Sequence, residues 1–168
     1  MVGARKILGL GLMALFSVPG LAQAGVPVTR VGTQGRVSSA IWAGDTLYVS
    51  GTMATPAVIG DGTSKKPPTY SGDTKAQTIS AIQNIEKVLK EQGLELGDVV
   101  QMQVFLKGDP ARGGAMDVDG MNAAYAMFFG TPEQPKKPVR ATVQVAGLVW
   151  PGGLVEIMVV AVRPVKAK

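Results

Sequence analysis

Apolar residues recur along this chain with two different periods, and the switches between them mark out its elements. "SSAIWAG" and "DTLYVSG" carry apolar and β-forming residues on either side of Gly44-Asp45, which predicts two strands joined by a tight turn. The period then lengthens. In "DTKAQTISAIQNIEKVLKEQG", Ile79, Ile82, Ile85 and Leu89 line one helical face, Thr74 and Gln77 fit a capping box, and Gly93 supplies the stop. "LGDVVQMQVFLKG" returns to alternation, with Val100, Met102, Val104 and Leu106 on one side and Gln101 and Gln103 on the other. A second helix is predicted from Asp117 to Phe129, its apolar face formed by Val118, Met121, Tyr125, Phe128 and Phe129. "PVRATVQVAGLVWPGGLVEIMVVAV", from Pro138 to Val162, ends the pattern as two apolar strands around a turn, for which antiparallel pairing is the simple expectation.

The order is β-β-α-β-α-β-β, which predicts an α+β sandwich with both helices on one face of a mixed sheet. The other face would be open. A sheet this apolar on both sides is poorly suited to face water, which predicts oligomerisation through it. Between the second strand and the first helix, Thr52 to Gly72 is rich in Gly, Pro, Ser and Thr and reads as a long loop. Its "GDGTSKK" lacks the spacing of a phosphate-binding loop.

The first 24 residues depart from this pattern. Arg5 and Lys6 precede an apolar run from Ile7, and Ala22-Gln23-Ala24 follows, as in a secretory signal peptide cleaved near Ala24. The run is shorter than the roughly 20 residues of a membrane-spanning helix. One domain, residues 25–168, would then be periplasmic or secreted, with no membrane attachment after cleavage. Net charge would fall from +5 to +3 on loss of Arg5 and Lys6. After residue 24 the only basic doublets, Lys65-Lys66 and Lys136-Lys137, have no aromatic residues interleaved, so no nucleic-acid partner is expected.

The chain of 168 residues has neither Cys nor His, which narrows the chemistry. Disulfides, the usual zinc sites and Ser-His or Cys-His nucleophile pairs are excluded. No metal or cofactor is expected, and acid–base work falls to a carboxylate, Lys, Tyr or water. Against that background, the two charges in the apolar terminal segment stand out: Arg140 and Glu156. A buried charge is retained only when paired. One reading makes both structural and inert. The other makes Arg140 a fork for a substrate carboxylate and Glu156 an acid or base working on a water. Alternation groups Arg140 with Thr142 and Gln144, and Glu156 with Leu154, Met158 and Val160, but leaves open whether the two charges meet within a chain or across an interface.

The combination of "TLYVSG", "QTISAIQNIEKVLKEQGLELGDVVQMQVFLKG", "MNAAYAMFF" and "PVRATVQVAGL…VEIMVVAVRP" resembles the Rid family, the RidA/YjgF-type reactive-intermediate deaminases, from about Gly35 to Pro164. The resemblance implies a chorismate-mutase-like sandwich with a mixed six-stranded sheet, assembled as a homotrimer with sites between subunits. It also implies hydrolysis of 2-imino or enamine acids to 2-keto acids and ammonia. Arg140 would grip the carboxylate and Glu156 would position the water. Ser50, Gly51, Asn122 and Thr142 would help bind substrate, Thr142 standing where the family has a cysteine. Val37, in Gly35-Arg36-Val37, stands where deaminases of this type carry a pocket tyrosine. Two alternatives follow from the same pocket and surface: a non-catalytic binder of small carboxylates, and a holdase or ribonuclease-type function.

Overall fold

A computed structural model describes residues 25–32 and 35–165. The signal-peptide reading of residues 1–24 lies outside the described residues. Among the described residues, six strands, two α-helices and two short 3-10 turns follow one another. They are β1 (Val28–Val31), β2 (Ala40–Ala43), β3 (Thr46–Met53), α1 (Thr74–Glu91), β4 (Val99–Lys107), α2 (Val118–Tyr125), β5 (Val139–Val145) and β6 (Val155–Val162), with the 3-10 turns before β4 and before α2. β1 was not legible in the alternation. It is four residues long, mostly exposed, and held by pairing with β2 rather than by burial.

The sheet order is β1-β2-β3-β6-β4-β5. All neighbours are antiparallel except β4 and β5, which run parallel. The expectation that the last two strands form a hairpin is therefore corrected: β4 lies between them. The burial of each strand explains why. β6 buries Val155, Ile157, Val159 and Ala161 and is apolar enough for a central place, whereas β5 carries Arg140 and Gln144 and is exposed along most of its length, as suits an edge. The chain between them, residues 146–154, is long enough to cross β4.

β3 and β4 are both antiparallel to β6 and hence parallel to each other, with α1 as their connection; α2 likewise connects β4 to parallel β5. Right-handed crossovers taken in one direction across a sheet deliver their helices to the same face. Both helices pack there, α1 against α2, β3 and β6. Ile82, Ile85 and Leu89 meet Leu47, Val49, Met102, Val104, Ile157 and Val159 in one core. The other face of the sheet leaves Tyr48, Val143, Met158 and Val162 exposed.

α1 starts differently from the capping box expected of Thr74 and Gln77. Asp73 is the N-cap, its Oδ1 accepting from the Ala76 amide at 2.8 Å. Thr74 and Gln77 are instead buried, and Gln77 spends its side chain on tertiary backbone. The helix ends as expected at Gly93, φ 73°, where Gly93 N donates to Lys90 O and Leu94 N to Leu89 O in a Schellman motif. α2 is shorter than predicted, but tight turns after Tyr125 still carry Phe129 into the core. A bulge at the start of β4 buries Val99 and turns Val100 out, which separates Val100 from the Met102, Val104 and Leu106 side on which alternation placed it.

Candidate active site

Glu156 is the second residue of β6, opposite Met53 of β3 and Phe105 of β4. It points to the face away from the helices, since Val155 and Ile157 on either side are fully buried. β3 departs from regular pairing beside it. Val49 faces Val159 and Thr52 faces Ile157, so β3 has one residue more than β6, a bulge at Ser50-Gly51. The bulge brings the chain against the carboxylate: a Cβ at Gly51 would overlap Glu156 Oε1. Glycine is what permits this approach. On its other side Glu156 opens into a hollow of about 290 Å³ with Phe105, Val145, Gly147, Leu148 and Met158. Ser50, Gly51 and Val37 line a neighbouring hollow of about 360 Å³, reaching Asn84 of α1; Val37 is 70% exposed.

Arg140 is the second residue of β5, in register with buried Met102, so it lies on the helix face of the sheet. Its Nη2 donates to Asn122 Oδ1 at 2.7 Å, its Nη1 lies 3.5 Å from Met121 Sδ, and its guanidinium carbon stands 4.5 Å from the centre of the Tyr125 ring. Every one of these contacts is to a neutral group on α2. Burial raises the Tyr125 phenol pKa above its ordinary value, against a smaller lowering by the Arg140 charge. Thr142, two residues on, is in register with Val104 on the same face. Its Oγ1 is shut away from solvent with no hydrogen-bond partner among the described residues.

The ion pairs among the described residues use neither Arg140 nor Glu156. The reading of the two as satisfied structural charges therefore has no pairing behind it. Arg140 keeps guanidinium donors in hand, and Glu156 keeps a free carboxylate beside a backbone that has moved in to meet it. Yet the two groups do not converge within one chain. They lie on opposite faces of the sheet with β4 between them. The seven residues singled out from sequence fall into separate groups: Arg140, Asn122 and Thr142 lie together on the helix face, Gly51 touches Glu156, and Ser50 and Val37 share with Gly51 the hollow that reaches α1.

One residue near Glu156 was not singled out from the sequence. Tyr70, in the long loop, is half-buried; burial raises its phenol pKa, and the neighbouring negative charge of Glu156 raises it further. No periodicity could have found it, because the loop has none. A wider hollow of about 710 Å³, between the end of α1 and the turn after α2, takes none of these residues.

Residues 28–163 match the family model described as Endoribonuclease L-PSP, the YjgF/RidA proteins. The chain belongs to the Rid family. Rid-family relatives include a RutC family protein of Sulfurisphaera tokodaii, 35% identical over 127 residues, 75% of this chain and 86% of the relative. A 2-iminobutanoate/2-iminopropanoate deaminase of Salmonella typhimurium is 32% identical over 120 residues, 69% of this chain and 87% of the relative. The YjgF gene product of E. coli has the same Rid fold, with TM-score 0.60 and 26% identity over 79% of this chain and 92% of its own. A Pseudomonas aeruginosa protein of known structure gives TM-score 0.63 and 25% identity, over 82% of this chain and all of its own.

Proposed function

We propose that this Rid protein hydrolyses reactive 2-imino and enamine acids to 2-keto acids and ammonia, in a site that two chains complete. The observation that carries this reading is the division of the charges. An unpaired Arg140 held by neutral groups and an unpaired Glu156 held against Gly51 lie on opposite faces, each half of a site. The exposed apolar face around Tyr48, Val143 and Met158 supports association, and a homotrimer closes such a contact in a ring. Export and cleavage near Ala24 belong to the same proposal.

In this site Arg140 of one chain pairs bidentately with the substrate carboxylate, and Asn122 holds the guanidinium in place. Glu156 of the neighbouring chain accepts a proton from water as the water oxygen bonds to the imine carbon. The C=N π electrons move to nitrogen, which takes from Glu156 the proton that the water gave up. As the resulting carbinolamine collapses, its hydroxyl proton passes to the nitrogen, the C–N bond breaks, and ammonia and the 2-keto acid are released. An enamine enters the sequence after tautomerising to the imine. Such imines already hydrolyse in water, so each tenfold gain asks about 1.4 kcal/mol of the site. Positioned charge and water supply that without Cys, His or metal.

The test is the rate of disappearance of an imino acid generated in place by an amino-acid oxidase, with residues 25–168 added. Acceleration over the uncatalysed rate is the expected result; none at micromolar protein would contradict it. Gly51 gives a sharper local check. Its replacement by Ala drives a methyl into the Glu156 carboxylate while leaving the surrounding strands paired. Gly51→Ala should lower kcat by about 10- to 100-fold, the scale on which a catalytic group displaced by about 1 Å costs rate.

One observation favours a second reading. Val37 is largely exposed at the hollow shared with Ser50 and Gly51, and offers no polar or aromatic group to a ligand there. A binder that holds small carboxylates without turning them over would tolerate this. Saturable binding of 2-ketobutanoate with no accelerated imine hydrolysis would select that reading. RNA cleavage that survives in an Arg140→Ala, Glu156→Ala double variant would instead select a surface function.

A further inference from the structure

Tyr70 lies on the returning limb of the Thr52–Gly72 loop, and that limb is not free. Thr69 N donates to Val58 O at 3.1 Å and Val58 N to Thr69 O at 3.3 Å, closing the loop on itself. Tyr70 N then donates to Pro151 O at 3.2 Å, tying the limb to the crossing between β5 and β6. Gly152 next to it has φ 77°, and a Cβ there would overlap Tyr70 O, so the crossing admits the limb only because this position is glycine.

Gln77 locks the arrangement. It is 2% exposed; its Nε2 donates to Gly72 O at 3.1 Å and Gly152 O at 2.9 Å, and its Oε1 accepts from Leu154 N at 2.9 Å. One buried amide therefore fixes three backbones: the residue two after Tyr70, the crossing, and the residue two before Glu156. Gly147 and Leu148 of the same crossing line the hollow into which Glu156 opens. Tyr70 and Glu156 are thus carried by a single clamped unit, close enough for the carboxylate charge to act on the phenol. A solvent loop would need neither the clamp nor the glycine.

We propose that Tyr70 is a wall of the substrate pocket on the Glu156 side, its phenol O–H donating a hydrogen bond to the water or carbonyl oxygen held there. This deepens the imine-hydrolase reading and rests on it. A tyrosine phenol is protonated at neutral pH, as a donor requires, and the upward direction of the shift at Tyr70 leaves it so. The loop whose length and composition suggested only a surface excursion is then part of the site.

Tyr70→Phe keeps the ring and every backbone contact of the clamp and removes only the hydroxyl. With an oxidase-generated imino acid it should lower kcat about tenfold with KM little changed, whereas a merely structural ring would leave both as they were. Tyr70→Ala should lower kcat further and raise KM, and Tyr70→Phe should recover the KM. Wild-type activity in both variants would overturn the inference while leaving imine hydrolysis standing. If the wild type itself lacks activity, the reaction assignment fails and the pocket is read directly. In protein labelled with 3-fluorotyrosine, three fluorine resonances are expected from Tyr48, Tyr70 and Tyr125, and the one absent from Tyr70→Phe is that of Tyr70. Its shift on titration with 2-ketobutanoate supports a pocket wall; its constancy while the ligand binds, or an absence of any binding, contradicts it.

Discussion

Replacing Arg140 with Ala should reduce kcat/KM for imino-acid hydrolysis by at least about 100-fold while leaving the fold intact. Two charge-assisted hydrogen bonds to a carboxylate, each worth about 1.5–3 kcal/mol, account for a loss of this size or greater. The side chain is exposed on an edge strand, and its contacts are one hydrogen bond to Asn122, a weak contact to Met121 Sδ and a stacking contact on Tyr125. Losing them costs about 1 kcal/mol of stability. Activity should therefore collapse with only a small shift in Tm. Arg140→Lys should recover little, because an ammonium cannot make the bidentate pair. If Arg140→Ala unfolded the chain instead, the guanidinium would be a structural element of the α2–β5 contact and not a substrate fork. An unchanged rate in a folded Arg140→Ala variant would remove the carboxylate-binding role altogether.

Alternation alone singled out two of the candidate residues, Arg140 and Glu156; the other five came from the family resemblance. Charged residues at the second position of two apolar strands were conspicuous, and alternation grouped each with its true companions: Arg140 with Thr142, Glu156 with Met158. What alternation could not supply was the order of the strands. That order follows from non-local burial. β6, apolar on successive positions, takes a place between β3 and β4, and the polar β5 is left at the edge. A turn of Pro and Gly near "LVWPGG" looks like a hairpin from within the sequence, and only the competition for the sheet centre makes it a crossing.

Two further features escaped for a related reason. The bulge at Ser50-Gly51 depends on register against β6, a partner more than 100 residues away in sequence. Tyr70 depends on three backbones brought together by Gln77, whose Thr74-x-x-Gln77 spacing had suggested a local cap. Asp73 performs that local role, and the freed amide reaches across to Gly152 and Leu154. Where local periodicity or backbone conformation decided a residue's place, as along Ile82, Ile85 and Leu89 or at Gly93, the sequence pattern sufficed. Where a side chain served another element, the pattern named a plausible neighbour instead.

The central claim is that Arg140 and Glu156 act together only across an interface, and mixing two dead variants tests it. Arg140→Ala and Glu156→Gln should each be inactive when expressed alone. Co-expressed with different affinity tags and purified through both, they yield only mixed assemblies. In a ring of three chains, either mixed composition contains one junction where an intact Arg140 from one chain faces an intact Glu156 from the next. Mixed trimers should therefore recover about a third of wild-type activity. Both folds are preserved, since neither substitution removes a core residue, so a failure to assemble would be visible in the recovered mass. Recovery of about a third of the rate is the predicted result; mixed assemblies as inactive as their parents would contradict a site shared between chains.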